Sequence, residues 1–172
     1  MSGLSLGSDG MRLLAPCLSR MQMLQQLGLS RNDIGDGGIE TLCLALHQVT
    51  SLMSLNLERN SITSRGCKTL AIAITPLLML QRLFLCGNHI AARGVRELAP
   101  AIVSLSESNL NSSSCLETSS GGGSFVISFD DELMNLLPLA SNRWKQPGKM
   151  QEWRIFVQGA NRGEVELMFD IL

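Results

Sequence analysis

The stretch Leu52-Met53-Ser54-Leu55-Asn56-Leu57-Glu58-Arg59-Asn60 decides the fold, because its pattern recurs 28 positions earlier and 28 positions later. Self-similarity at one fixed period of this length is the signature of a repeat architecture. Eight columns hold over three copies: Leu24, Leu52 and Leu80; Leu27, Leu55 and Leu83; Leu29, Leu57 and Leu85; Asn32, Asn60 and Asn88; Ile34, Ile62 and Ile90; Gly38, Gly66 and Gly94; Leu42, Leu70 and Leu98; Leu46, Ile74 and Ile102.

The repeat extends backwards by half a unit, because Leu6, Gly10, Leu14 and Leu18 fall into the later columns. The sequence therefore predicts a half repeat, helical in its known part, followed by three full repeats over residues 1–105. No insertion interrupts the columns, so the units are predicted to have uniform length.

Each column has a physical reason. The last two leucines of Leu52-x-x-Leu55-x-Leu57 alternate with period two, as a short half-buried strand requires. Asn60 closes that strand, since a buried amide can bond backbone groups that lack a ladder partner. Gly66 stands where the chain enters a helix and passes close to its neighbour, which a Cβ would hinder. We therefore expect an α/β solenoid of βα units, with parallel strands inside and helices outside.

These columns closely resemble ribonuclease-inhibitor-like leucine-rich repeats over roughly residues 4–105. The same class of repeat occurs in the ribonuclease inhibitor, in the sensor arrays of NOD-like receptors and in the GTPase activator for Ran. The uniform 28-residue length and the Asn column are more similar to the last two. The resemblance implies binding of another protein, but it is specific for fold rather than for function.

A partner is expected on the concave strand face, at the positions that alternate with the strand leucines. An aromatic residue beside an arginine is typical of an interface hot spot, and Phe84 follows Arg82 by two positions. The alternative is that the C-terminal segment covers Phe84. Arg31 and Arg59 form either a clamp for a carboxylate or a solvated row of charges next to Glu58. The candidate partner-binding residues are Arg31, Asn56, Glu58, Arg59, Arg82, Phe84 and Cys86.

Composition excludes several classes of function. The net charge of −1 favours neither nucleic acid nor an anionic membrane as partner. No P-loop, zinc spacing or serine-nucleophile motif is present, so we expect no enzyme activity, no metal and no cofactor. The two histidines, His47 and His89, are predicted to lie on different faces.

The cysteines predict a reducing compartment. The count of five is odd and lacks the paired spacing of disulfide frameworks or zinc sites. Cys17, Cys43 and Cys67 fall in or at the start of helices and are expected to be buried as small apolar residues. With no secretory leader and no apolar run long enough for a membrane span, the expected location is cytoplasmic.

The repeat pattern stops near Leu105. Residues 106–124 are rich in Ser, Asn and Gly and are predicted to be a linker. Residues 125–172 are predicted to form a small α+β segment that docks on the last repeat, where a strand edge would otherwise be unpaired. It contains a strand near Phe125, a helix capped by Asp130, a basic surface loop around Trp144 and a hairpin. The hairpin strands are 153–157 and 165–171.

The leading functional hypothesis is a protein-interaction module. One alternative is a regulator of a small GTPase or of an enzyme, although no surface constellation of a Ran activator is matched. Another alternative is a truncated piece of a larger NOD-like-receptor-type repeat protein.

Overall fold

The computed structural model describes residues 3–111, 125–128, 154–157 and 165–168. The predicted helix at Asp130, the basic loop at Trp144 and Cys115 lie outside the described residues. The elements, in chain order, are α1 (Gly7–Leu18), β1 (Gln26–Gly28), α2 (Gly35–Leu46), β2 (Ser54–Asn56), α3 (Ser64–Ile74), β3 (Arg82–Phe84), α4 (Ala92–Asn111), β4 (Phe125–Ser128), β5 (Arg154–Val157) and β6 (Val165–Met168).

Strands and helices alternate with the period of the sequence. β1, β2 and β3 are parallel neighbours, and Leu27, Leu55 and Leu83 lie in one register across them. Each helix packs against the helix of the next repeat. This arrangement confirms the predicted α/β solenoid of leucine-rich units.

The core lies between the strand layer and the helix layer. Residues of the predicted leucine and isoleucine columns fill it, and Leu55, Leu57, Ile62 and Leu70 have no exposed surface. Burying a side chain of this size contributes about 1.5–3 kcal/mol to folding. One continuous apolar core therefore joins all the repeats, as a solenoid requires.

The buried asparagines connect successive repeats. Asn60 accepts a hydrogen bond from the backbone N–H of Asn32 at 2.9 Å and donates through Nδ2 to the carbonyl of Leu29 at 2.8 Å. Asn88 does the same one repeat later, accepting from the N–H of Asn60 at 2.9 Å and donating to Leu57 at 2.9 Å. Because no described buried side-chain nitrogen or oxygen lacks a partner, these polar groups do not destabilise the core.

The glycine column makes room for the neighbouring repeat. A Cβ on Gly94 would lie 2.8 Å from Ile90 Cγ2 and 3.1 Å from Ser64 Cα. A Cβ on Gly66 would collide with the Asp36 carboxylate and would lie 2.8 Å from Ile62 Cγ2. The predicted reason for these glycines, close approach between neighbours, is confirmed.

The sheet continues beyond the repeats. β4 pairs in parallel with β3, so that Ile127 lies opposite Leu83, and the Ile127 side chain is fully buried. β5 pairs in parallel with β4, and β6 pairs antiparallel with β5 as in the predicted hairpin. The C-terminal strands thus extend the sheet to six strands from the edge of the last repeat.

Two details differ from the sequence-based expectations. α4 runs to Asn111, so residues 106–111 of the predicted linker are helical. Cys17 is exposed rather than buried, whereas Cys43 and Cys67 are buried as expected. Cys17 lies on α1, which among the described helices packs closely only against α2. Its equivalents Ala45 and Ala73 are buried on helices that pack on both sides. Within the described ranges, no helix is long and apolar enough to cross a membrane.

Candidate functional site

The open face of β1, β2 and β3 carries two rows of side chains between the buried leucines. The strand register aligns Gln26 with Ser54 and Arg82 in one row, and Gly28 with Asn56 and Phe84 in the other. Residues at these positions alternate with buried leucines, so they lie on the side of the sheet away from the helices. We call these six residues the strand face.

The largest side chains of the strand face lie on β3. In β1 the face consists of the exposed Gln26 and Gly28, and in β3 it consists of the half-buried Arg82 and Phe84. The benzyl group of Phe84 thus retains surface for a partner while its backbone is fixed: its carbonyl accepts from the N–H of Leu57 at 2.9 Å. The sequence prediction that these two residues share the open face agrees with this geometry.

Asn56 and Glu58 form a preorganised polar pair beside Phe84. Asn56 Oδ1 accepts from the backbone N–H of Glu58 at 3.0 Å, and Asn56 Nδ2 donates to Glu58 Oε2 at 3.2 Å. These two bonds orient the half-buried carboxylate of Glu58, and no cation of the described residues pairs with it. The carboxylate can therefore accept further hydrogen bonds from a ligand.

Arg31 and Arg59 occupy equivalent positions at the strand ends. Both backbones are left-handed, with φ of 58° and 53°. The N–H of Arg31 donates to the carbonyl of Glu58 at 2.8 Å, and a Cβ on Gly87 would lie 2.6 Å from Arg59 Cγ. The stem of Arg59 therefore rests on Gly87. Neither guanidinium forms an ion pair with a described residue, so the predicted closeness to Glu58 does not neutralise them.

Cys86 differs from its predicted exposure, because only 8% of its surface is accessible. Its equivalents in the earlier repeats, Ser30 and Glu58, are half-buried, so this position is partly covered in every repeat. The thiol is therefore a poor candidate for direct contact with a partner.

Sequence reasoning missed a set of polar contacts at the entrance to the helices. Thr63 donates through its N–H to Asp36 Oδ1 at 2.8 Å and through Oγ1 to Asp36 Oδ2 at 2.6 Å. Ser61 Oγ donates to Asp33 Oδ1 at 2.8 Å. An acid followed 27 or 28 positions later by a hydroxyl was the signal that could have revealed them. These bonds tie the first full repeat to the second.

The described residues show no sign of a metal or nucleophile site. They contain no group of three or more His, Cys, Asp or Glu side chains placed to hold a metal ion. Burial, followed by the charge of Glu40, raises the pKa of the Cys43 thiol to about 12. Burial, followed by the charge of Asp36, does the same for Cys67. Both thiols are therefore protonated near neutral pH and are weak nucleophiles.

Comparison with known proteins agrees with the repeat geometry. A family model described as Leucine Rich repeat matches residues 20–43 and 49–71. These stretches contain β1 with most of α2, and β2 with most of α3. No curated protein matches the chain.

Proposed function

We propose that this chain, whose leucine-rich repeats are of a kind that generally serves protein interaction, binds a partner protein on the strand face. The contact is centred on Phe84 and Arg82. It includes the polar pair Asn56–Glu58 and the guanidinium groups of Arg31 and Arg59.

One observation carries the proposal: Phe84 and Arg82 are half-buried on β3, on either side of the fully buried Leu83, and both retain accessible surface. The buried leucine fixes the strand, so both side chains are presented from a rigid support. Aromatic and arginine side chains held in this way supply most of the energy at protein interfaces, and truncating one costs about 2 kcal/mol or more.

The charges indicate the chemistry of the partner. Arg31, Arg59 and Arg82 carry three positive charges around this face, and Glu58 carries one negative charge. Arginine binds carboxylates with two parallel hydrogen bonds. The proposed partner therefore offers an apolar side chain for Phe84 together with Asp or Glu residues, and its binding weakens as salt concentration rises.

The test is affinity purification with the full chain as bait, followed by quantitative mass spectrometry. A partner of the strand face is recovered by the wild type and lost with Phe84→Ala and with Arg82→Ala. Gln22→Ala is the matched control, because this exposed side chain lies in the loop after α1. Equal recovery by all four baits would contradict the proposal.

The same purification decides between the two alternatives from the sequence. A small GTPase or an enzyme recovered through Phe84 would make the chain a regulator of that protein, and GTP hydrolysis or enzyme activity would then be measured with and without the chain. Recovery of further repeat segments would instead favour a role as part of a larger NOD-like-receptor-type array.

A further inference from the structure

The outer helix layer carries a row of exposed apolar residues that the core does not use. Pro16, Leu44, Ile72 and Pro100 are 28 positions apart, so they occupy the same place on α1, α2, α3 and α4. All four are exposed, and the exposed fraction is 76% for Leu44 and 64% for Ile72. Leu13, 80% exposed, lies one helical turn from Pro16. We call these five residues the helix ridge.

The ridge borders a hollow between α1 and α2. This hollow is shallow and open, and most of its exposed surface is apolar. Its lining residues are Arg12, Ala15, Pro16, Ser19, Thr41, Leu44 and Ala45. Such a hollow, next to protruding apolar side chains, can accept the side chains of another protein. Exposed apolar side chains arranged in a row beside such a hollow are a feature of interaction sites in soluble proteins.

The charges around the ridge are unbalanced. Each described acid of the helix layer near the ridge is paired with an arginine: Asp9 with Arg12 at 3.1 Å, Glu40 with Arg65 at 3.0 Å and Glu97 with Arg93 at 3.9 Å.

Three cations near the ridge have no ion pair with any described residue. Lys68 and Arg96 precede Ile72 and Pro100 by four positions, on the same helix faces, and Arg20 follows the end of α1. The uncompensated charge beside the ridge is therefore positive, which favours an acidic occupant over a second copy of the same cationic face.

From the row, the hollow and the unbalanced charge, we infer that the helix ridge binds an acidic amphipathic helix of a partner protein. Neighbouring packed helices lie about 8–10 Å apart, so the row over four helices is about 27 Å long. A crossing helix would need about 18 residues to cover it, at about 1.5 Å per residue. Its apolar stripe would contact Leu44 and Ile72, and its Asp or Glu residues would face Lys68 and Arg96. This site is separate from the strand face, which lies on the opposite side of the sheet.

The probe is a fluorescein-labelled helical peptide of about 18 residues, with Leu along one stripe, Glu beside it and Ala elsewhere. Fluorescence anisotropy is measured with the full chain. We expect saturable binding that becomes at least about tenfold weaker for the double variant Leu44→Asp, Ile72→Asp. Both replaced side chains are exposed, and a thermal melt checks that the core is intact.

Two controls isolate the ridge. The double variant Gln22→Asp, Thr50→Asp adds the same two charges in the loops after α1 and α2 and keeps the wild-type affinity. The variant Phe84→Ala also keeps it, so a failure of the strand-face proposal leaves this result unaffected.

A charge exchange tests the cations. The double variant Lys68→Glu, Arg96→Glu weakens binding of the acidic peptide and strengthens binding of a peptide in which every Glu is replaced by Lys. The inference is overturned if the acidic peptide does not bind, or if it binds the ridge variant as tightly as the wild type. It is also overturned if Leu44 and Ile72 instead support sedimentation with phosphatidylserine vesicles, or dimerisation of the chain, in preference to the peptide.

Discussion

The backbone N–H of Asn32 is held by the Oδ1 of Asn60 at 2.9 Å, so the side chain of one repeat fixes the turn of the repeat before it. The Asn60 amide also donates to the carbonyls of Leu29 and Glu58 at 2.8 and 3.1 Å. The N–H of Ile34 is a further donor to Asn60 Oδ1 at 3.5 Å, so one fully buried side chain bonds four backbone groups across two repeats.

Asn60→Ala is expected to lower the free energy of unfolding by about 3 kcal/mol. The change leaves buried backbone donors and acceptors without partners, and each costs about 1–3 kcal/mol. Urea denaturation followed by circular dichroism measures the effect. Asn56→Ala serves as the control, because its half-buried side chain bonds only Glu58 and its loss should cost under about 1 kcal/mol. Equal losses in the two variants would refute this role of Asn60.

Two glycines of similar sequence context should respond in opposite directions to alanine. Gly66→Ala places a Cβ against Asp36 and Ile62, so we expect a loss of about 1–3 kcal/mol as the neighbours shift. Gly37→Ala places a Cβ 3.9 Å from Ser8 inside α2, where alanine is favoured by about 0.5–1 kcal/mol. Thermal melts of both variants test the pair. A stabilised Gly66→Ala variant would show that the close approach is not needed.

The thiols should separate into one reactive group and three protected groups. Cys17 is exposed, whereas Cys43, Cys67 and Cys86 are buried. In a Cys115→Ser background, Ellman's reagent is expected to react rapidly with one thiol and with the other three only after unfolding. Adding Cys17→Ser should remove the rapid phase. A rapid phase of the same amplitude in that variant would disprove the assignment.

Stability should fall at alkaline pH because of two thiols. The pKa values of Cys43 and Cys67 are raised from 9.0 to about 12 in the folded chain. Below pH 9 the two thiols are protonated in both the folded and the unfolded chain, and their contribution to the free energy of unfolding is fully present. Between pH 9 and 12 the unfolded chain releases protons that the folded chain retains, so the free energy of unfolding falls by about 1.4 kcal/mol per thiol and pH unit.

Urea denaturation from about pH 8 to about pH 10.5 measures this slope. The chain contains no tyrosine, so cysteine and lysine are the side chains that titrate there. The double variant Cys43→Ala, Cys67→Ala should show a shallower decline. An unchanged slope would exclude these thiols as its source.

The repeat architecture was predictable from sequence because one physical constraint acts on each column. Leu55 and Leu57 must face the core, Asn60 must bond the backbone groups of a turn, and Gly66 must leave room for the neighbouring repeat. Each position in the repeat therefore requires one type of residue. The alternation also predicts that Arg82 and Phe84 lie on the open side of a strand.

The sheet beyond the repeats was only partly predictable, because its spacing breaks the period. β4 is opposite β3, but Val126 is 44 positions after its partner Arg82 instead of 28. The repeat columns therefore end near Leu105, whereas the sheet continues through β4, β5 and β6. The alternation of Ile127 with Phe129 repeats that of Leu83 with Leu85 and was the available signal.

Exposure at the margins could not be derived from the columns, because it depends on neighbours outside the repeating unit. Cys17 and Cys67 both fall on predicted helices, but Cys17 lies on α1, the first helix of the layer, and is exposed. The helix ridge was missed because an exposed leucine and a buried leucine look alike in sequence. Leu44 and Ile72 have the same 28-residue spacing as the buried Leu42 and Leu70, so only the exposed fractions in the structure separate the two rows.

The chain of hydrogen bonds that links Asn32, Asn60 and Asn88 has a direction, and synthesis on the ribosome follows the same direction. Asn32 is bonded by Asn60, and Asn60 by Asn88, so each turn is completed by residues that are translated 28 codons later. A repeat that has just left the exit tunnel therefore still lacks the acceptor for its own turn. Nascent-chain folding should consequently advance one repeat behind translation, with a step each time the next asparagine emerges.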